Sequence, residues 1–176
     1  MPLRRQPFCA ILIAALLLAK PVGAVEQAAA GGSSGLPVPR FVSLKSDRVH
    51  VRGGPSRDHE IAWMFTRSGL PVEITAEYDN WRRIRDWEGA EGWVYHSLLS
   101  GKRTVLVAAR PKQKDELLPL RAGAEGKAEV VARLQPGVVA QVKRCSGGWC
   151  RIVGAGFDGW VQQERLWGVY ADEKVE

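Results

Sequence analysis

Among the residues of this chain that could do chemistry, Cys145 and Cys150 stand out first, five positions apart. A C-x₄-C pair lacks the C-x-x-C redox spacing, and no neighbouring His completes a zinc set. The intervening Ser146-Gly147-Gly148-Trp149 reads as the tip of a hairpin, with both glycines where positive φ is cheap. Ser146 and Trp149 then close the turn as a hydrogen-bonded pair. Cys145 and Cys150 fall opposite each other in the next, closer pair, within disulfide reach. A structural bridge is expected, worth about 2 kcal/mol on the chain-entropy account of so short a loop.

The candidate general bases are His50, His59 and His96. His50 lies in a strand-like stretch beside Arg52, and His59 in the charged run Arg57-Asp58-His59-Glu60. No G-x-S-x-G or H-E-x-x-H occurs, and no Ser or Cys stands in a nucleophile context. Asp58 and Glu60 could work as paired carboxylates, but on a loop beside Arg57 they read as solvated ion pairs. These residues point away from an enzyme, and no metal or cofactor is expected.

The elements that must position the remaining candidates begin after an export leader. Arg4 and Arg5 precede an unbroken apolar run at 8–19, and Val22-Gly23-Ala24 offers small residues at −3 and −1 of a cleavage site. The run falls short of the ~20 residues that span a bilayer, and Lys20-Pro21 follows it directly. Residues 1–24 are expected to be a signal peptide cut after Ala24, with 28–30 as a later option. An uncleaved anchor and a twin-arginine route are the alternatives. Cys9 lies within this leader, without the small residues before it that lipid attachment needs.

Export removes Arg4, Arg5 and Lys20, so the formal net charge of +6 falls by three to +3. That mild basicity suits anionic wall polymer or lipid headgroups and lacks the clustered surface nucleic acid requires. Arg82-Arg83-Ile84-Arg85 and Arg110-Pro111-Lys112-Gln113-Lys114 read as a solvated strand face and a linker. The expected location is periplasmic or secreted, where disulfides persist. Residues 25–40, rich in Ala, Gly, Ser and Pro, read as a flexible linker.

From Phe41 onward the chain can be laid on itself. Val49-His50-Val51-Arg52 matches Leu118-Pro119-Leu120-Arg121, and Trp81-Arg82-Arg83-Ile84 matches Trp149-Cys150-Arg151-Ile152. Gly92-Trp93-Val94 matches Gly159-Trp160-Val161, and Leu99 matches Leu166. Within each copy the period is two: Val49 and Val51, then Val72, Ile74 and Ala76, then Val138, Ala140 and Val142. Turn signals such as Gly53-Gly54-Pro55, Asp79-Asn80 and Pro136-Gly137 separate the runs. Short strands in units of this size predict an all-β protein of two tandem small antiparallel barrels. The first is expected over 41–108 and the second over 115–170, with residues 108–115 as their junction.

Taken together, the anchors resemble the bacterial Src-homology-3-like domain family. Its pattern, V-x-V-R-x-G-P, then an apolar-x₃₋₄-G element, then a lone W before x-x-I/V, then G-W-V and L, falls on 49–55, 65–69, 81–84 and 92–99. It recurs at 118–123, 134–137, 149–152 and 159–166, with Ala124 in place of Pro55 and Pro119 inside the first strand. The resemblance implies Src-homology-3-like barrels of five to six strands and a binding role in the envelope.

Sorted by the repeat, Trp93, Trp149 and Trp160 are expected to serve the shared core. Trp63, Trp87, Trp167, Tyr78 and Tyr95 have no partner in the other copy. They read either as a ligand surface, where stacking needs exposed rings, or as the contact between copies. In eukaryotic relatives a Trp, a Pro and a Tyr form the proline-peptide groove. Those places fall on Trp81, Tyr95 and Leu98 here, and on Trp149, Gln162 and Arg165 in the second copy, so PxxP recognition is not implied. The candidate ligand-binding residues are Trp63, Tyr78, Trp81, Tyr95 and Leu98, centred on copy one. The expected partner is cell-wall polymer or a wall-associated peptide, with a periplasmic protein as the rival.

Overall fold

The computed structural model describes residues 32–108 and 116–176. The expected signal peptide, residues 25–31 of the expected linker, and residues 109–115 of the expected junction lie outside the described residues. The rest of that linker is tied down, with Ser34 hydrogen-bonded to Glu77 and Arg40 opening the first strand. Everything regular among the described residues is strand or short 3₁₀ turn, so the chain is all-β.

The first copy runs β1 (Arg40–Leu44), β2 (Val49–Arg52), β3 (Ile61–Phe65), β4 (Pro71–Tyr78), β5 (Trp81–Arg85), β6 (Glu91–Tyr95) and β7 (Leu99–Ser100). A 3₁₀ turn at His96–Leu98 links the last two. The second copy runs β8 (Thr104–Val107), β9 (Leu118–Arg121), β10 (Val130–Leu134), β11 (Val139–Ser146), β12 (Trp149–Gly154), β13 (Phe157–Gln162) and β14 (Leu166–Trp167). The sheet orders are β3-β2-β6-β5-β4-β1-β7 and β10-β9-β13-β12-β11-β8-β14, the same topology twice. Each has seven strands rather than five or six. The two-residue β7 and β14, each paired to the first strand of its copy, make the excess.

Alternation drives the inner face. Val49, Val51, Val72 and Ile74 pack in one core, and Leu118, Leu120, Ala140 and Val142 in the other. The pairing slips by one residue twice per copy: between β2 and β3 and between β9 and β10, and, on the strands that close each hairpin, between Ile74 and Ala76 and between Val142 and Arg144. A bulge of this kind inserts one residue and switches the side-chain parity. Ala76 therefore drops out of the buried set, and Cys145 comes to the same inner face as Val142.

The junction differs from the sequence expectation. Thr104–Val107, counted there with the first copy, hydrogen-bonds to β11 and β14 of the second sheet. All four residues are buried: Val105 and Val107 enter the second core, while Leu106 enters the first. A strand covered on both faces reads as a continuous apolar run, and its period cannot say to which sheet it belongs.

The two barrels thus share a wall. Phe41 packs edge-on to Trp167 at 5.2 Å and tilted to Tyr170 at 4.7 Å between ring centroids. The Trp167 indole N–H donates to the Pro71 carbonyl at 3.3 Å, and the Thr104 hydroxyl to that of Gly69 at 2.7 Å. The Tyr170 hydroxyl donates to Glu73, whose other oxygen accepts from Arg85. Glu73 on the outer face of β4 is buried for this reason. Gly168 sits at φ 117°, where an added Cβ would lie 2.4 Å from the Thr104 carbonyl oxygen. Of the aromatics without a counterpart in the other copy, Trp167 belongs to this contact.

Candidate functional site

Three of the five candidate residues come together. Trp81 opens β5 directly after the Asp79-Asn80 turn, where Asp79 takes φ 52°. Tyr95 ends β6 opposite it in register, and the rings meet edge-to-face at 5.5 Å. The 3₁₀ turn that follows carries Ser97 and Leu98 to the same place. These side chains, with His50, Arg52 and Arg57, line an open cleft of about 410 Å³. Trp81 is only 9% exposed and forms the floor; half-buried Tyr95 and Leu98 form walls.

Trp63 and Tyr78 stand outside the cleft. Trp63 lies on the edge strand β3, edge-on to Phe65 at 6.2 Å and against the first core. Tyr78 pairs with Trp81 across the turn but is 61% exposed and lines no part of the cleft.

Trp93, Trp149 and Trp160 are not core residues. All three are half-exposed, and neither core contains them. Their neighbours Val94, Cys150 and Val161 are fully buried instead. In the G-W-V strands the glycine and valine face inward and the Trp outward. Gly92 approaches β2 so closely that a Cβ would lie 2.4 Å from Val51, and at Gly159 one would lie 2.7 Å from the Arg121 carbonyl oxygen. On the outer face Trp93 stands opposite Arg52 and Arg83, and Trp160 opposite Arg121 and Arg151. The repeated tryptophans therefore mark a repeated surface row.

The cationic rim is what sequence reasoning missed. Arg52 donates to the carbonyls of Arg57, at 3.0 Å, and His59, at 2.6 Å. In the second copy Arg121 does the same to Ala128 at 2.7 Å. The arginine of the V-x-V-R motif is thus a clamp on the loop after β2. In copy one that loop brings Arg57 to 5.9 Å from the Tyr95 ring centroid. His50 reaches the cleft because Val49 and Val51 face inward, leaving the position between them exposed. That outward position was legible; the loop path was not.

Copy two does not reproduce the cleft. Gln162 replaces Tyr95, and Arg165 replaces Leu98, buried and paired with Glu116 at 3.1 Å. Next to Trp149 the C-terminal segment folds over the barrel: Gln163 donates to the carbonyls of Tyr170 and Glu173, and Val175 bridges to Cys145. Ala171 and Asp172 line the 350 Å³ recess that remains there.

Cys145 and Cys150 form the expected disulfide, buried in the second core with Cα atoms 4.1 Å apart. Ser146 and Trp149 pair just beyond it, around Gly147 and Gly148 at φ 60° and 79°. At the same place in copy one stands an ion pair, Glu77 with Arg82 at 3.1 Å, joined by Arg40 and Ser34. Burial pushes the Glu77 carboxyl up, but the Ser34 amide and hydroxyl and the Arg40 guanidinium outweigh it and hold it at about 2. Among the described residues no cluster of His, Cys, Asp and Glu could hold a metal ion.

The bacterial SH3 domain family matches the sequence twice, at residues 45–101 and 114–168. The chain belongs to that family. Among solved structures it is similar to two from Trichomonas vaginalis, titled NlpC2 and NlpC1. The first is 10% identical over 73% of this chain and 48% of its own, with a TM-score of 0.32. The second is 12% identical over 77% of this chain and 48% of its own, also at a TM-score of 0.32. This chain therefore spans about half the length of those proteins. No curated protein matches it.

Proposed function

We propose that this bacterial SH3 domain protein is an exported, non-catalytic envelope protein that binds peptidoglycan through the cleft of its first copy. The cleft carries the reading: an aromatic floor and wall, Trp81 and Tyr95, open to solvent beneath a cationic rim. Such a mixed surface suits an extended peptide with aliphatic and anionic groups. Family membership supports a binding role. The leader at 1–24 and the Cys145–Cys150 disulfide fit the periplasm or the exterior. Co-sedimentation of mature chain, residues 25–176, with purified sacculi tests it, using Tyr95→Ala as the control for the site.

A second reading has its own observation. Ile61 and Met64 on edge strand β3 are 47% and 41% exposed, and the ring of exposed Trp87 lies 6.1 Å from that of Phe65 at the end of the same strand. An apolar edge strand is a template for another chain, and favours docking of a periplasmic protein there. Capture that survives Tyr95→Ala but is lost with Met64→Lys would locate it.

A further inference from the structure

We infer that the Trp81–Tyr95 cleft selects ligands by a carboxylate, held at Arg57, and that each chain has one such site. The inference rests on the wall-binding reading and names the chemical group recognised.

Charge compensation around the first copy carries it. Arg40 and Arg82 meet Glu77, Arg83 meets Glu91, and Arg85 meets Glu73. At the cleft, as at Arg48 and Arg67 elsewhere on this copy, the arginines have no carboxylate partner among the described residues. Arg52 gives one nitrogen, Nη1, to the two loop carbonyls, which leave its charge in place and hold it back against the loop. Arg57 is exposed and rests near the Tyr95 ring, with no carboxylate partner among the described residues. His50 completes the rim, and no Asp or Glu lines the cleft. Asp58 and Glu60, the acids of the same loop, are exposed and lie outside that lining.

Geometry adds to charge. The Arg52 clamp fixes the loop backbone that presents Arg57, so less order is lost when the guanidinium takes up an anion. Arg–carboxylate pairs are charge-assisted and can be bidentate, while Tyr95 and Leu98 offer apolar contact to the atoms beside the carboxylate. Copy two keeps the clamp and, in Trp149, the floor, but Pro119, Gln162 and Arg165 replace His50, Tyr95 and Leu98, and Ala171 and Asp172 of the C-terminal segment line the recess beside Trp149. One site per chain follows.

The test is calorimetric titration of the mature chain with an N-acetylated tetrapeptide of the wall stem, its carboxylates free, and with the same peptide fully amidated. Binding at one equivalent is expected, with amidation weakening it by about tenfold or more, the scale of a charge-assisted hydrogen bond. Arg57→Gln, at an exposed position, should erase the difference between the two peptides while leaving the melting temperature unchanged. Equal affinity for the two peptides, or no binding of either, overturns the inference. In those cases retention on sacculi still reports on wall binding separately, and its loss would overturn the reading on which this one rests.

Discussion

Glu77 faces Arg82 across β4 and β5 at the register position where Cys145 faces Cys150 across β11 and β12. Both pairs sit one step inside a two-residue turn and just beyond a bulge. One copy closes its hairpin with a covalent bond, the other with a buried ion pair. The chain segments that cover them also differ: Ser34 precedes β1 and Arg40 opens it, whereas Val175 comes from the C-terminal end.

Removing the disulfide should weaken the hairpin of copy two. Cys145→Ala with Cys150→Ala is expected to cost about 2 kcal/mol from loop entropy alone, and more if the buried site packs poorly. Chemical denaturation of the double variant and the oxidised parent measures the difference.

The ion pair of copy one makes stability depend on acid. The carboxyl of Glu77 is held at about 2, below its ordinary 4.5. A depressed carboxyl contributes stability that is fully present above 4.5 and is lost as pH falls toward 2. Glu77→Gln should therefore destabilise the protein at pH 7, by on the order of 2–3 kcal/mol. The penalty should shrink as pH drops through that window. Denaturation midpoints of both forms between pH 7 and pH 2 would show this convergence.

Shared packing across β8 couples the copies. Leu106 fills the first core while its neighbours Val105 and Val107 fill the second, so the chain should melt in a single calorimetric transition. Trp167→Ala should lower stability by about 3 kcal/mol, the usual scale for truncating a packed aromatic. Gly168→Ala should also destabilise, because both its φ and the Thr104 carbonyl forbid a Cβ. Two resolved transitions in the parent would contradict the shared wall.

The repeat, the all-β class and the disulfide were legible because each rests on local spacing: period two, glycines at turns, and two cysteines flanking a hairpin tip. The orientation of Trp93 and Trp160 was not. Recurrence suggested burial, yet what recurs by necessity is the neighbouring glycine, which lets β6 approach β2 and β13 approach β9. The membership of Thr104–Val107 was hidden because a strand buried on both faces has no polar side to orient it. Trp81, Tyr95 and Leu98 were found by likeness to a known groove. Arg57 was missed because the Arg52 clamp brings it in through backbone carbonyls, which leave no mark in a sequence.

The central claim is that copy one holds wall peptide in the Trp81–Tyr95 cleft, and sacculus co-sedimentation tests it most directly. The account predicts that mature chain is retained at moderate salt and that Tyr95→Ala, with its fold intact by circular dichroism, is retained several-fold less. Equal retention of both proteins, or retention that disappears with salt alone, would contradict it.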